Sequence, residues 1–284
     1  MAPAVPQIAE LQAPPHWRTV DFISDLHLQA SEPATFAVWR HYMESTPADA
    51  VFILGDLFDV WVGDDVVSTD GSLLATPDPT SAAGSFEASC ARVLGQTAGR
   101  LALYFMRGNR DFLLGQPAPE GREACESLLN LCHTTRLDDP TLLVFEGQRW
   151  LLSHGDALCT DDVDYMRFRQ QVRSPAWQQA FLAKPLPERQ AIARNLRQQS
   201  RQQHEQRKKS GAAFIDVDPR AAREWLAAAR ASTLIHGHTH RPAVHQLGKG
   251  LQRVVLSDWD AAAPSPRAEV MRLSAAGLRR TALL

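Results

Sequence analysis

Ala50-Val51-Phe52-Ile53-Leu54-Gly55-Asp56 is the stretch that decides the fold. A short unbroken apolar run of this kind is the pattern of a strand buried on both faces. It stops at a glycine, which permits a tight turn, and the next residue is a carboxylate. Four more runs repeat the arrangement, at residues 20–24, 101–106, 150–153 and 233–235. They stop at Asp25-Leu26-His27, Gly108-Asn109-Arg110-Asp111, His154-Gly155-Asp156 and His236-Gly237-His238. Helical patterns at 34–45 and 85–98 separate several of the runs. Strands alternating with helices predict an α/β fold with mostly parallel central strands. In such sheets ligands bind beyond the carboxyl ends of the strands, so five strands ending in metal-ligating residue types place one candidate site on one edge.

Residues 1–16 are rich in Pro and Ala and are expected to be a mobile tail. Residues 17–159 and 231–284 form the expected core, and 66–85 an exposed loop rich in Ser, Thr, Pro, Gly and Ala. Residues 160–230 are mostly helical in pattern, with Asp218-Pro219 as a helix start. This stretch falls between two strands that carry site residues, so it reads as a cap over the site. Within it, Phe168, Val172, Trp177, Phe181, Leu182, Ile192 and Leu196 could line an apolar groove or pack as ordinary core.

With 284 residues, 44% of them hydrophobic and 22% charged, the chain can bury a full core without staples. Cys90, Cys125, Cys132 and Cys159 show no paired spacing and read as reduced thiols of a cytosolic protein. A net charge of −2 gives no global attraction to nucleic acid or anionic lipid. The one basic run, residues 194–209, reads first as a solvated helix face. No stretch has the roughly 18 or more apolar residues of a spanning helix, and no signal-peptide pattern opens the sequence.

Any single His here could be a hydrogen-bonded core residue, and any single Asp a helix cap. Asp25, His27, Asp56, Asn109, His154, His236 and His238 together exceed one tetrahedral zinc site. They suit two divalent ions with a shared carboxylate, of the Mn, Fe or Zn kind. Two such ions clamp the attacking and leaving oxygens of an in-line displacement, which is phosphoester chemistry. Arg110 is placed to meet charge on phosphoryl oxygens. Asp59, Asp111 and Asp156 are expected to orient ligands, and His240 to support them or face solvent.

The ordered series from Asp25-Leu26-His27 to His236-Gly237-His238 resembles the calcineurin-like metallophosphoesterases, whose fold is two mixed sheets face to face with helices outside. Residues 55–65, 108–115, 154–162 and 236–242 are similar to the UDP-2,3-diacylglucosamine diphosphatase family within that group. The resemblance implies two metal ions, manganese, with Asp25, His27, Asp56 and His238 on one and Asp56, Asn109, His154 and His236 on the other. It implies a catalytic set of Asp56, Asn109, Arg110 and His236. Substrate contacts would fall on Asn109, Arg110, Asp162 and His236, and in the cap on Ser200, His204 and a basic residue among Arg207, Lys208 and Lys209. The implied substrate is a glycolipid nucleotide, split to UMP and 2,3-diacylglucosamine 1-phosphate in lipid A synthesis of Gram-negative bacteria. The implied location is the cytoplasmic face of the inner membrane, peripherally, with no nucleic acid and no obligate protein partner. Ala157 stands where the family pattern has Thr, and the spacing to Ile215-Asp216-Val217 is longer than that pattern. A dinucleoside polyphosphate hydrolase, a nuclease, or a non-catalytic scaffold of the same fold are the alternatives.

Overall fold

Two six-stranded mixed sheets stack face to face in the computed structural model, which describes residues 5–67, 85–116, 127–209 and 215–284, with the side chains of residues 203, 204, 207 and 208 excepted. The first sheet contains β1 (Ala9–Gln12), β6 (Thr141–Phe145), β7 (Gln148–Ser153), β8 (Thr233–His236), β10 (Leu251–Val255) and β9 (Ala243–Gly248), in that order. The second runs β12 (Gly277–Ala282), β11 (Glu269–Ser274), β2 (Thr19–Ile23), β3 (Ala50–Leu54), β4 (Ala102–Met106) and β5 (Thr135–Leu137). Phe22, Phe52 and Leu54 of the second sheet meet Leu143, Leu152 and Ile235 of the first in the core between them. Burying both faces of these strands is what their unbroken apolar runs require.

Helices cover the outer faces. α1 (Pro33–Ser45), α2 (Phe86–Ala98) and the short α3 (Leu128–Leu131) pack outside the second sheet. Ser85 caps α2 by accepting from the Ala88 N–H. α7 (Pro219–Ala229) starts at the expected Asp218-Pro219 and lays Ala222, Trp225, Leu226 and Ala229 on the first sheet. It is therefore a flanking helix of the sandwich, although the expected cap at 160–230 contained it. α4 (Val163–Val172), α5 (Pro175–Leu182) and α6 (Leu186–Lys209) are the remaining helices of that stretch.

The N-terminal expectation needs correction. Residues 9–12 form β1, paired in parallel with β6, and Ala13 and Trp17 are buried. The backbone bonds of an edge strand outweigh the loop-like composition of its flanks. Residues 1–4 of the expected tail and 68–84 of the expected loop lie outside the described residues, as do Cys125 and the side chains of His204, Arg207 and Lys208. Cys90, Cys132 and Cys159 are free and buried.

Register brings the site together. β2, β3 and β4 are parallel neighbours, with Ile23 beside Ile53 and Leu54 beside Met106. Asp25, Asp56 and Asn109 therefore leave the second sheet from one edge. In the first sheet β7 and β8 are parallel, with Ser153 beside His236, so His154 and His236-Gly237-His238 leave at the matching edge.

Candidate metal centre

The loops after β2 and β3 are stitched together by backbone bonds, Asp25 N–H to Gly55 O at 3.1 Å and His27 N–H to Asp56 O at 3.0 Å. Asp25 and His27 do not continue the extended backbone of β2. Both are left-handed, with φ of 54° and 48°, as are Asp56 at 54° and His238 at 67°. Non-glycine residues rarely hold this conformation, and its cost is tolerated where surrounding structure fixes a functional geometry. A Cβ at Gly108 would run into the Asp56 carboxylate, and one at Gly237 into that of Asp25. Both positions need glycine for that close approach.

Asp25 and Asp56 are fully buried at the centre. Asp25 Oδ2 accepts from Ser24 Oγ at 2.6 Å and from the His238 N–H at 2.9 Å. Its Oδ1 lacks a hydrogen bond of good geometry, with His240 Nε2 at 3.2 Å as its neighbour. Asp56 Oδ1 accepts from the Arg110 N–H at 2.8 Å. Asp111, also fully buried, accepts the N–H groups of Gly108 at 2.9 Å and Leu57 at 2.7 Å, tying the Asp56 loop to the Asn109 loop. Burial, with the neighbouring Asp56 charge, pushes the Asp111 carboxyl up to about 7.

Asn109 Oδ1 is shared by His154 Nε2 at 2.9 Å and His238 Nδ1 at 2.8 Å. The other nitrogen of His154 donates to Leu54 O at 2.9 Å. Both ring nitrogens thus face acceptors. Burial opposes the imidazolium, but the Asp56, Asp25 and Asp156 charges outweigh it and raise His154 to about 9. Burial holds His27 and His238 neutral, each down to about 3.

Among the described residues, two triads bring their ligand atoms within 4.8 Å of one another: Asp25 with His27 and His240, and Asp25 with Asp56 and His154. His240, expected only as a supporting or surface residue, thus stands beside the ligand types. His236 is fully buried next to them in sequence, two residues before His238. Its Nδ1 faces Gly237 O at 2.9 Å, and its Nε2 lies 3.3 Å from Arg253 Nη1. Arg253 itself forks onto Asp216 at 3.0 and 2.6 Å. Asp25 Oδ1 and His27 Nδ1, buried and without a hydrogen bond among the described residues, stand in a dense set of carboxylates and imidazoles that suits divalent cations.

A cavity of about 790 Å³ opens from this centre toward α4, α5 and α6. Its near end has Asn109, Arg110 and His238, and its wall has Phe168, Val172, Trp177, Phe181 and Leu196. Asp162 and Ser200 also line it. For Leu182 and Ile192 the core-packing alternative holds, since both pack with the core cluster. The Arg110 Nε is buried and has no hydrogen-bond partner among the described residues. Not foreseen from sequence were Arg253, Tyr165 and Arg169 of α4, and Arg173 at its C-terminal end. The four-residue spacing of those last three was the available signal.

Two facing mixed sheets with clustered ligand loops at one edge define a metallophosphoesterase architecture, and the calcineurin-like phosphoesterase family model matches residues 18–242. The chain belongs to that family, and within it to the group of UDP-2,3-diacylglucosamine hydrolases. It is 48% identical to the UDP-2,3-diacylglucosamine hydrolase of Chromobacterium violaceum over 84% of this chain and 90% of that protein. The hydrolase of the same name from Stenotrophomonas maltophilia strain K279a is 38% identical, over 91% of this chain and 96% of its own length. That of Aromatoleum aromaticum is 41% identical, over 86% and 90%. No helix among the described residues is long and apolar enough to cross a membrane.

Proposed function

We propose that this chain is a manganese-dependent hydrolase that splits the pyrophosphate of UDP-2,3-diacylglucosamine with one water, giving UMP and 2,3-diacylglucosamine 1-phosphate for lipid A synthesis. The observation that carries the reading is the continuous cavity, polar at Asn109, Arg110 and His238 and apolar along Phe168, Val172, Trp177, Phe181 and Leu196. A nuclease or a dinucleoside polyphosphate hydrolase has no use for that apolar wall.

Asp25, His27, Asp56 and His238 would hold one ion, and Asp56, Asn109, His154 and His236 the other, with Asp56 shared. When bound, the ions supply Lewis acidity and offset phosphoryl charge. The chain's own contribution is placement. Asp111 fixes the Asp56 and Asn109 loops relative to each other. Arg110 brings a guanidinium to the cavity, its buried Nε without a partner among the described residues, where it meets the charge that develops on the phosphoryl oxygens. Asp162 and Ser200 line the same cavity and would contact substrate, with His204, Arg207 and Lys208 further along α6. The apolar wall takes the acyl chains, at about 0.8 kcal/mol per buried CH₂. A lipid substrate brings the chain to the cytoplasmic face of the inner membrane as a peripheral protein.

The test is direct. Purified protein loaded with Mn²⁺ is incubated with UDP-2,3-diacylglucosamine, and UMP and the lipid phosphate are measured. Metal-loaded protein that releases no UMP would overturn the assignment.

A further inference from the structure

We infer that α4 is a clamp on the ligand-bearing loops, and that Arg173 is a positioning residue holding Asn109 in place. The inference rests on the proposed ligand roles of Asn109, His154 and His238. Tyr165, Arg169 and Arg173 recur every four residues, so they share one face of the helix and the turn that ends it. All three converge on Asp156, which is fully buried two residues after His154. The Tyr165 hydroxyl donates to Asp156 Oδ2 at 2.7 Å. Arg169 forks across both Asp156 oxygens, with Nε at 2.8 Å and Nη2 at 3.3 Å.

Arg169 already pairs with Asp156, so Arg173 is not needed to balance that charge. Its Nη2 lies 3.6 Å from Asp156 Oδ2 but donates to the Gly108 carbonyl at 2.7 Å. That carbonyl and the Asn109 N–H belong to one rigid peptide plane. Fixing the oxygen therefore fixes the plane from which Asn109 starts. The guanidinium also sits 5.3 Å from the centre of the Phe112 ring, three residues beyond Asn109. At the other end of the helix, the Tyr165 ring stacks on His238 with centroids 5.8 Å apart.

One helix thus touches the His154 loop, the Asn109 loop and His238. Phe168 and Val172 of the same helix line the cavity, so the element that would meet the lipid is also the element that sets the ligand geometry. Without Arg173, the Asn109 loop keeps Asp111 and its α5 contacts but loses the bond from the cap to the Gly108 carbonyl.

The test is a Mn²⁺ titration of metal-stripped protein, following free Mn²⁺ by electron paramagnetic resonance. Wild type is compared with Arg173→Met, Arg173→Lys and the control Arg167→Met, whose native side chain is 77% exposed. Arg173→Met is expected to bind the weaker Mn²⁺ equivalent about tenfold or more less tightly, the usual scale for losing a group that orients a ligand. Arg173→Lys keeps the charge but not the planar fork and is expected to lie between. Arg167→Met is expected to match wild type. With substrate, Arg173→Met should lower kcat and leave KM near wild type. Wild-type Mn²⁺ affinity in folded Arg173→Met, with or without a lower Tm, would overturn the clamp. If Arg173→Met does not fold, wild-type affinity in Arg173→Lys does the same. The titration needs no substrate, so a wild type that binds Mn²⁺ but leaves the sugar nucleotide intact would refute the substrate assignment and not the clamp.

Discussion

Replacing Phe168 with Ala removes apolar wall from the cavity without opening the core, because Phe168 is 37% exposed and lines that cavity. A phenylalanine carries about 200 Å² of buriable surface, so roughly a third of it, about 70 Å², remains for an acyl chain to cover. At about 25 cal/mol per Å² that contact is worth up to about 1.8 kcal/mol, or about 20-fold in kcat/KM. The full loss should appear with the diacylated sugar nucleotide and vanish with its deacylated analogue, since binding energy from remote parts of a substrate is realised at the reacting centre. The assay is UMP release from both substrates by wild type and Phe168→Ala, with a thermal melt to confirm equal folding. Equal losses on the two substrates, or none on either, would refute the acyl-binding role of this wall.

Arg110→Ala should cut turnover by about 10²–10³ and leave bound metal unchanged. A lower Tm with normal turnover per folded molecule would instead mark a loop-holding arginine. Asp56→Ala should lose more metal, by elemental analysis, than Asp25→Ala, because Asp56 is the proposed shared ligand, and full occupancy with normal turnover would end the two-metal reading. Mn²⁺ affinity should rise with pH. His154 is raised to about 9, so below that value the metal-free ring keeps a proton that a ligating ring must lose. Binding should tighten by up to about tenfold per unit from about pH 6 and level off near about pH 9. A flat profile by calorimetry would show that His154 is not a ligand.

The sequence alone determined the strand ends and the chemistry that sits on them. Ala50-Val51-Phe52-Ile53-Leu54 is apolar enough to be buried on both sides wherever it folds, and Gly55-Asp56 must then leave at its end. The same local logic gave β2, β4, β7 and β8, the helix start at Asp218-Pro219, and the placing of the seven expected ligand residues at or just beyond strand ends. Those are short-range consequences of side-chain type, turn chemistry and period. The family resemblance, not the apolar pattern, carried the expectation of two sheets.

What sequence could not supply is what depends on partners far along the chain. β1 exists because β6 offers it an open edge, and α7 belongs to the sandwich because its apolar face meets β7, β8 and β10. The left-handed backbone at Asp25 and His27 is held by bonds to Gly55 and Asp56, about thirty residues on. His240 reaches Asp25, Arg253 backs His236, and α4 grips Asp156 and Gly108 only once both sheets and the cap have packed. Local pattern fixes which groups stand at a strand end, whereas the summed burial energy of distant segments fixes which of those groups meet.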